Sequence, residues 1–127
     1  FLRDVGADAT RAMQAFVQGR HGDCVELLRP LRSRAHRFGG SHAQRDLLHL
    51  TLLEAALRAG RNALARALAA ERTELKRTSP FNWRVTARAL KAQGLDDEAR
   101  QAIANADMKA AVQRAQPLSP PRELAVG

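Results

Sequence analysis

At 127 residues the chain has the length of one domain, and 45% apolar residues are enough for a core. A single cysteine, Cys24, excludes an intrachain disulfide and a cysteine-built zinc site. No apolar run approaches the roughly 20 residues that span a bilayer. The formal charge of +8 comes from 18 Arg and 3 Lys against 13 acidic residues. Such a balance suits nucleic acid, an anionic surface or an acidic partner. The arginines are spread along the whole chain, however, and with no Tyr there is little aromatic surface for base stacking. The 25 Ala beside 18 Arg also fit the usage of a GC-rich bacterial genome. We therefore do not expect nucleic acid as the partner. No secretory leader pattern is present, and we expect a cytoplasmic protein. Because the chain begins at Phe1 rather than Met, we expect it to be a piece of a longer one.

Taken in order, the chain reads as helix after helix. Ala9, Ala12, Met13, Phe16 and Val17 follow the 3.6-residue rhythm and predict a helix over 8–20, with Asp8 as its N-cap. Gly19 and Gly22 flank a turn. Cys24, Leu27, Leu28, Leu31 and Ala35 predict a helix over 23–38, kinked or broken at Pro30. Gly39 and Gly40 end it. Ser41 and Gln44 fit a capping box that opens a helix over 42–59. Leu47, Leu48, Leu50, Leu52, Leu53 and Leu57 make that helix apolar nearly all round, so it should form the centre of the core.

After Gly60 a partner helix is expected over 63–77, built on Leu64, Ala65, Leu68 and Leu75. Ser79 and Pro80 stop the chain and restart it as a helix over 81–93, with Pro80 at the first helical position. Gly94 turns the chain again. Asp96 is expected to cap a helix over 97–106, with an interruption near Asn105 and Asp107 and a continuation to Ala115. Residues 116–127, with three prolines, read as a flexible tail. The domain is thus 1–115, all-α, in three antiparallel helix pairs.

A repeat underlies these pairs. Gly60 and Gly94 are 34 residues apart, as are Ala65 and Ala99. Thirty-four residues is the tetratricopeptide period, which predicts an α–α superhelix. Trp83, Ala87, Leu90, Gly94, Ala99, Ile103 and Ala106 fall on its signature positions. The preceding unit fits less well, since Arg72 stands where a small residue is usual. The first unit, taken from Gly22, is offset by four residues.

The run from Leu27 through Pro30 and Arg32 to Gly39, Gly40, Ser41, His42, Ala43, Gln44, Arg45 and Asp46, followed by Arg84 and Ala87 to Leu90, resembles the C-terminal region of the tetratricopeptide repeat protein 38 family. The similarity covers roughly residues 9–94, and the run over 39–46 is its most specific part. It implies a helical-repeat protein of several hundred residues, with this chain as its C-terminal piece. It implies no established catalytic role to carry over, and we expect no cofactor and no metal.

Two groups of residues are candidate sites. His42, Arg45, Asp46 and His49 share a helix face at i, i+3, i+4 and i+7. They could move a proton or hold an anion as an accessory region of an enzyme. More simply, they are a junction in which Asp46 pairs with an arginine. No further carboxylate or cysteine completes a metal set at this spacing. Arg84, Arg88 and Lys91 form the second group, on the side of their helix opposite Trp83, Ala87 and Leu90. They would line a groove basic at one end and apolar at the other. Its earlier positions would be Leu50, Glu54 and Leu57, then Ala12, Phe16 and Gly19. Guanidinium forks there suit an acidic protein or peptide.

The expected function is therefore a non-enzymatic protein-binding scaffold. The C-terminal end is diluted by Arg100, Gln101, Asn105, Lys109 and Gln113. Phe1, Leu2, Val5, Met13, Phe16 and Val17 look too apolar for a solvated end, and we expect preceding repeats or a second copy of the chain to cover them.

Overall fold

The computed structural model describes residues 3–37 and 41–116. Six helices account for nearly all of them: α1 Arg3–Val17, α2 His21–Arg37, α3 His42–Arg58, α4 Asn62–Leu75, α5 Pro80–Ala92 and α6 Asp96–Ala115. The described residues contain no strand. Each helix packs on its neighbours in sequence, most extensively α5 on α6 and α1 on α2.

The connections α1–α2, α3–α4 and α5–α6 are one turn used three times. Gly19, Gly60 and Gly94 take φ of 81°, 74° and 78°, the left-handed region open to glycine. The residue after each glycine donates its N–H five residues back: Arg20 to Ala15 at 2.8 Å, Arg61 to Ala56 at 2.8 Å and Leu95 to Leu90 at 3.0 Å. These bonds consume carbonyls that a helix end would otherwise leave unpaired. Five residues beyond each glycine stands a small buried residue, Cys24, Ala65 or Ala99. Seven residues before stands Ala12, Leu53 or Ala87, also buried.

This register corrects the sequence reading at the first turn. The turning glycine is Gly19, and Gly22 lies inside α2. Gly19 and Gly60 are 41 residues apart, so the first unit exceeds the 34-residue period by seven rather than four. Four residues separate α2 from α3 in the chain, and four separate α4 from α5. The excess therefore lies in the helices: α2 has 17 residues against 14 in α4, and α3 has 17 against 13 in α5. The extra turn of α3 carries His42 to Arg45.

Several helix ends also differ from expectation. α1 starts at Arg3, so Asp8 is not a cap; its carboxylate pairs with Arg11 one turn on and with Arg34 of α2 at 3.3 Å. α2 runs unbroken through Pro30, which is exposed, so the carbonyl freed at Glu26 can bind water. Leu95, not Asp96, occupies the cap position of α6, and it makes no side-chain cap. Asp96, Asp97 and Glu98 instead lie in the first turn, favourably placed on the helix dipole. α6 does not break at Asn105: Ala99, Ala102 and Ala106 continue one buried stripe through it. Two caps are as read. Ser41 and Gln44 form both bonds of a capping box, and Ser79 accepts from Asn82 N with Pro80 following. Gly39, Gly40 and the tail over 117–127 lie outside the described residues.

The main core joins five helices through Ala12, Val25, Leu28, Leu52, Leu53, Leu68 and Val85, among others. A smaller cluster of Ala87, Leu90, Ala99 and Ala102, flanked by Trp83 and Leu95, seats α6 on α5. The Trp83 indole N–H donates to the Arg77 carbonyl at 2.8 Å, which anchors the chain just before α5.

Candidate binding face and junction

The junction is built around Arg72. Its side chain is only 12% exposed. Nη1 reaches Asp46 Oδ1 of α3 at 2.8 Å and lies 3.4 Å from His49 Nδ1. Nε donates to Asn82 Oδ1 of α5 at 3.0 Å, and the guanidinium carbon stands 5.7 Å from the centre of the Phe81 ring. The preceding residue, Glu71, accepts from both terminal guanidinium nitrogens of Arg32 from α2, at 2.7 and 2.8 Å. It also meets His49 Nε2 at 3.1 Å. One polar lattice thus ties together α2, α3, α4 and α5.

The electrostatics follow from this geometry. The Arg32 guanidinium holds the Glu71 carboxyl below the usual carboxylate range. Burial is the main force pushing His49 below the ordinary imidazole value, and the Arg72 charge adds to it. A neutral imidazole fits the contacts: Nε2–H can donate to Glu71 while Nδ1 accepts from Arg72.

Of the four face-sharing residues read from the sequence, Asp46 and His49 therefore meet on Arg72. His42 Nδ1 instead lies 3.4 Å from Arg45 Nη2, on the added turn of α3. Both ring nitrogens of His49 are engaged within the junction. Among the described residues, no group of three His, Cys, Asp or Glu side chains could hold a metal ion.

The second group differs from the free basic forks expected. Arg88 is held by both carboxylate oxygens of Glu54, at 2.8 and 3.1 Å. These two residues are 34 apart and occupy the same place relative to Gly94 and Gly60. Glu54 also accepts from Arg58 Nε at 3.1 Å, and its carboxyl is held low, by Arg88 first. Arg84 stands 3.7 Å from Asp107 of α6. Lys91 is exposed.

Counted from Gly19, the first-unit equivalents become Ala9, Met13 and Phe16, replacing Ala12, Phe16 and Gly19. Ala12 is buried in the core. Phe16 is half-buried, edge-on to His21 at 5.2 Å between ring centres and 5.4 Å from the Arg58 guanidinium carbon.

Between α1 and α3 lies an open cleft of about 300 Å³, lined by Ala9, Thr10, Met13, Gln44, Leu47 and Leu48. Leu47 at its rim is 56% exposed. Phe81, the same thirteen residues ahead of its glycine, is 51% exposed. Met13 and Phe16 are thus occupied by the cleft and the core, not by the outer end of the molecule. The exposed residues of α1 include Thr10, Arg11 and Gln14, and of the apolar set read there Val17 is exposed, at 85%. Phe1 and Leu2 lie outside the described residues.

Arg32, Glu71 and Asn82 were not singled out as junction residues from the sequence. Arg72 was visible only as a misfit to the repeat. That misfit is the signal: a charged residue at a small-residue position needs polar partners, and Asp46 and the buried Asn82 supply them.

No known family model and no solved structure matches the chain. No helix among the described residues is long and apolar enough to cross a membrane.

Proposed function

We propose that the chain is a non-enzymatic, tetratricopeptide-like helical-repeat module that binds a protein or peptide on the face shared by α1, α3 and α5. The observation that carries this reading is the threefold use of one glycine turn, with a small buried residue five positions after each glycine. Packing between sequence neighbours supports a stack of antiparallel pairs. In such a stack the first helices of the pairs align, and their matching positions here hold Leu47 and Phe81, Leu50 and Arg84, Glu54 and Arg88. The resemblance over residues 9–94 to the tetratricopeptide repeat protein 38 family fits the same reading.

The junction around Arg72 supports a structural role for the most distinctive run of the sequence. Asp46, Gln44 and Ser41 are engaged in a salt bridge and a capping box. Ion pairing leaves the net charge of +8 as it is but engages many guanidinium groups within the fold. Twelve arginines of the described residues stand within 4 Å of a carboxylate.

The test is selection of random dodecapeptides on the immobilised chain. Enriched peptides should lose binding to Leu47→Arg and Met13→Glu and keep it with Val112→Glu, an exposed position on α6. No enrichment, or equal binding to all three variants, would refute the module.

A further inference from the structure

We infer that the α1, α3 and α5 face takes an acidic peptide: a large apolar side chain enters the α1–α3 cleft, and a carboxylate takes Arg88 from Glu54. The inference rests on the binding-module reading and names the chemistry of its partner.

Leu47, Thr51, Glu54 and Arg58 form one stripe along α3, at i, i+4, i+7 and i+11. The cleft lies at the Leu47 end of this stripe. Thr10 and Gln44 are the polar members of its lining; the other four are apolar. Seven residues of helix, about 10 Å, separate Leu47 from Glu54. A peptide along the stripe would therefore meet an apolar socket and, about 10 Å further on, a cation.

Charge complementarity selects the partner. Glu54 is flanked by Arg58 on its own helix and Arg88 on α5, and Lys91 lies one turn beyond Arg88. Glu54 occupies the Arg88 fork as a ligand carboxylate would, with both oxygens. It can release that fork without becoming isolated, because Arg58 Nε remains 3.1 Å away. Arg88 is half-exposed, so an incoming carboxylate can reach it from solvent. Glu54 is thus an internal competitor, and the partner must displace it.

This arrangement gives an unusual expectation: removing an acidic residue from the face should strengthen binding. The probe is a fluorescent decapeptide with one phenylalanine and, three residues on, two consecutive aspartates, the rest glycine, serine and asparagine. Three extended residues span about 10 Å. Anisotropy titration should show binding that weakens at least tenfold with Leu47→Arg and with Arg88→Ala. Glu54→Gln should tighten it several-fold, and Val112→Glu should leave it unchanged. A peptide with asparagines in place of the aspartates should lose most of the affinity. Circular dichroism melts establish that each variant is folded. Binding indifferent to Arg88→Ala or to the asparagine exchange, or weakened by Glu54→Gln, would overturn the inference. If the probe fails while selected dodecapeptides still bind this face, the inference falls and the module stands. If both fail, both fall.

Discussion

Arg72 and Asn82 hold each other from both ends. The Arg72 Nε donates to the Asn82 side-chain oxygen at 3.0 Å, and the Asn82 amide donates back to the Arg72 carbonyl at 3.0 Å. The same amide lies 3.3 Å from the Lys76 carbonyl. Asn82 is the buried polar residue of the described chain, and this exchange closes the α4–α5 corner around it. Arg72→Ala would leave the Asn82 oxygen without its donor and Asp46 without its pair. Stability should fall by about 1–3 kcal/mol, the cost of orphaning the buried Asn82 oxygen. Arg72→Lys should not restore it, because an ammonium cannot supply Nε and Nη1 to two partners at once. Urea titration checks both variants, and a shifted midpoint with unchanged slope is expected. A loss under 0.5 kcal/mol would mean the lattice is incidental.

How far the sequence carried this fold can be read from particular residues. The alternation of Leu and Ala with turn glycines placed all six helices, because core-facing stripes are local in sequence. Ser41 and Gln44 gave a cap with both its partners three residues apart, so its geometry was legible. The register of the first pair was not. Gly19 and Gly22 are equally good turn residues, and what distinguishes them is the left-handed φ of Gly19 and the burial of Cys24 five residues on. Asp8 failed as a cap because α1 continues on the N-terminal side to Arg3. The junction was half legible: Asp46 could be assigned an arginine, but Arg72 is 26 residues away on another helix. Glu54 with Arg88 was hidden for the same reason, although their 34-residue separation put them on matching positions.

His49 makes the fold sensitive to acid in a defined window. Its side chain is 14% exposed, and burial leads the causes that hold its pKa below the ordinary 6.5. The unfolded chain therefore binds this proton more readily than the folded one. Stability is fully present above about pH 6.5 and is lost as pH falls from there toward the folded value. Glu71 and Glu54, whose pKa values are lowered from 4.5, add their own loss only below that point. His49→Gln should remove the pH dependence that begins as pH falls below about 6.5, while leaving the loss due to Glu71 and Glu54 at lower pH. Chemical denaturation across pH 4 to 8 measures it. An unchanged slope just below pH 6.5 in the variant would show that His49 is not the titrating group.

Gly60 in its turn and Gly22 inside α2 give a contrast of sign. Gly60 has φ 74° and open space where a Cβ would go. Gly60→Ala should still cost about 1 kcal/mol, because the left-handed conformation strains any other residue. Gly22 lies inside α2 with nothing within 4 Å of a built Cβ. Gly22→Ala should therefore stabilise, by up to about 1 kcal/mol, through helix propensity alone. Thermal melts decide between the registers. Destabilisation by Gly22→Ala would put the turn where the sequence reading first placed it.

Cys24 tests the repeat itself. It is fully buried five residues after Gly19, as Ala65 is after Gly60 and Ala99 is, nearly so, after Gly94. If the three positions are equivalent, what matters at Cys24 is small volume and not the thiol. Cys24→Ala should then cost less than about 1.5 kcal/mol, since a single buried heavy atom is removed. Cys24→Leu adds bulk where two helices approach and should cost about 1–3 kcal/mol. Ala65→Leu should behave alike, because it crowds the same point of the next pair. The thiol reports on the same packing by another route. Burial raises its pKa, and it is inaccessible, so alkylation by iodoacetamide should proceed only when α1 and α2 separate. Gly60→Ala, which acts one pair away, should accelerate alkylation less than Ala12→Leu, which crowds α2 directly from α1. Rapid labelling of the untreated chain, or Cys24→Leu as stable as Cys24→Ala, would show that the first pair does not share the packing of the second and third.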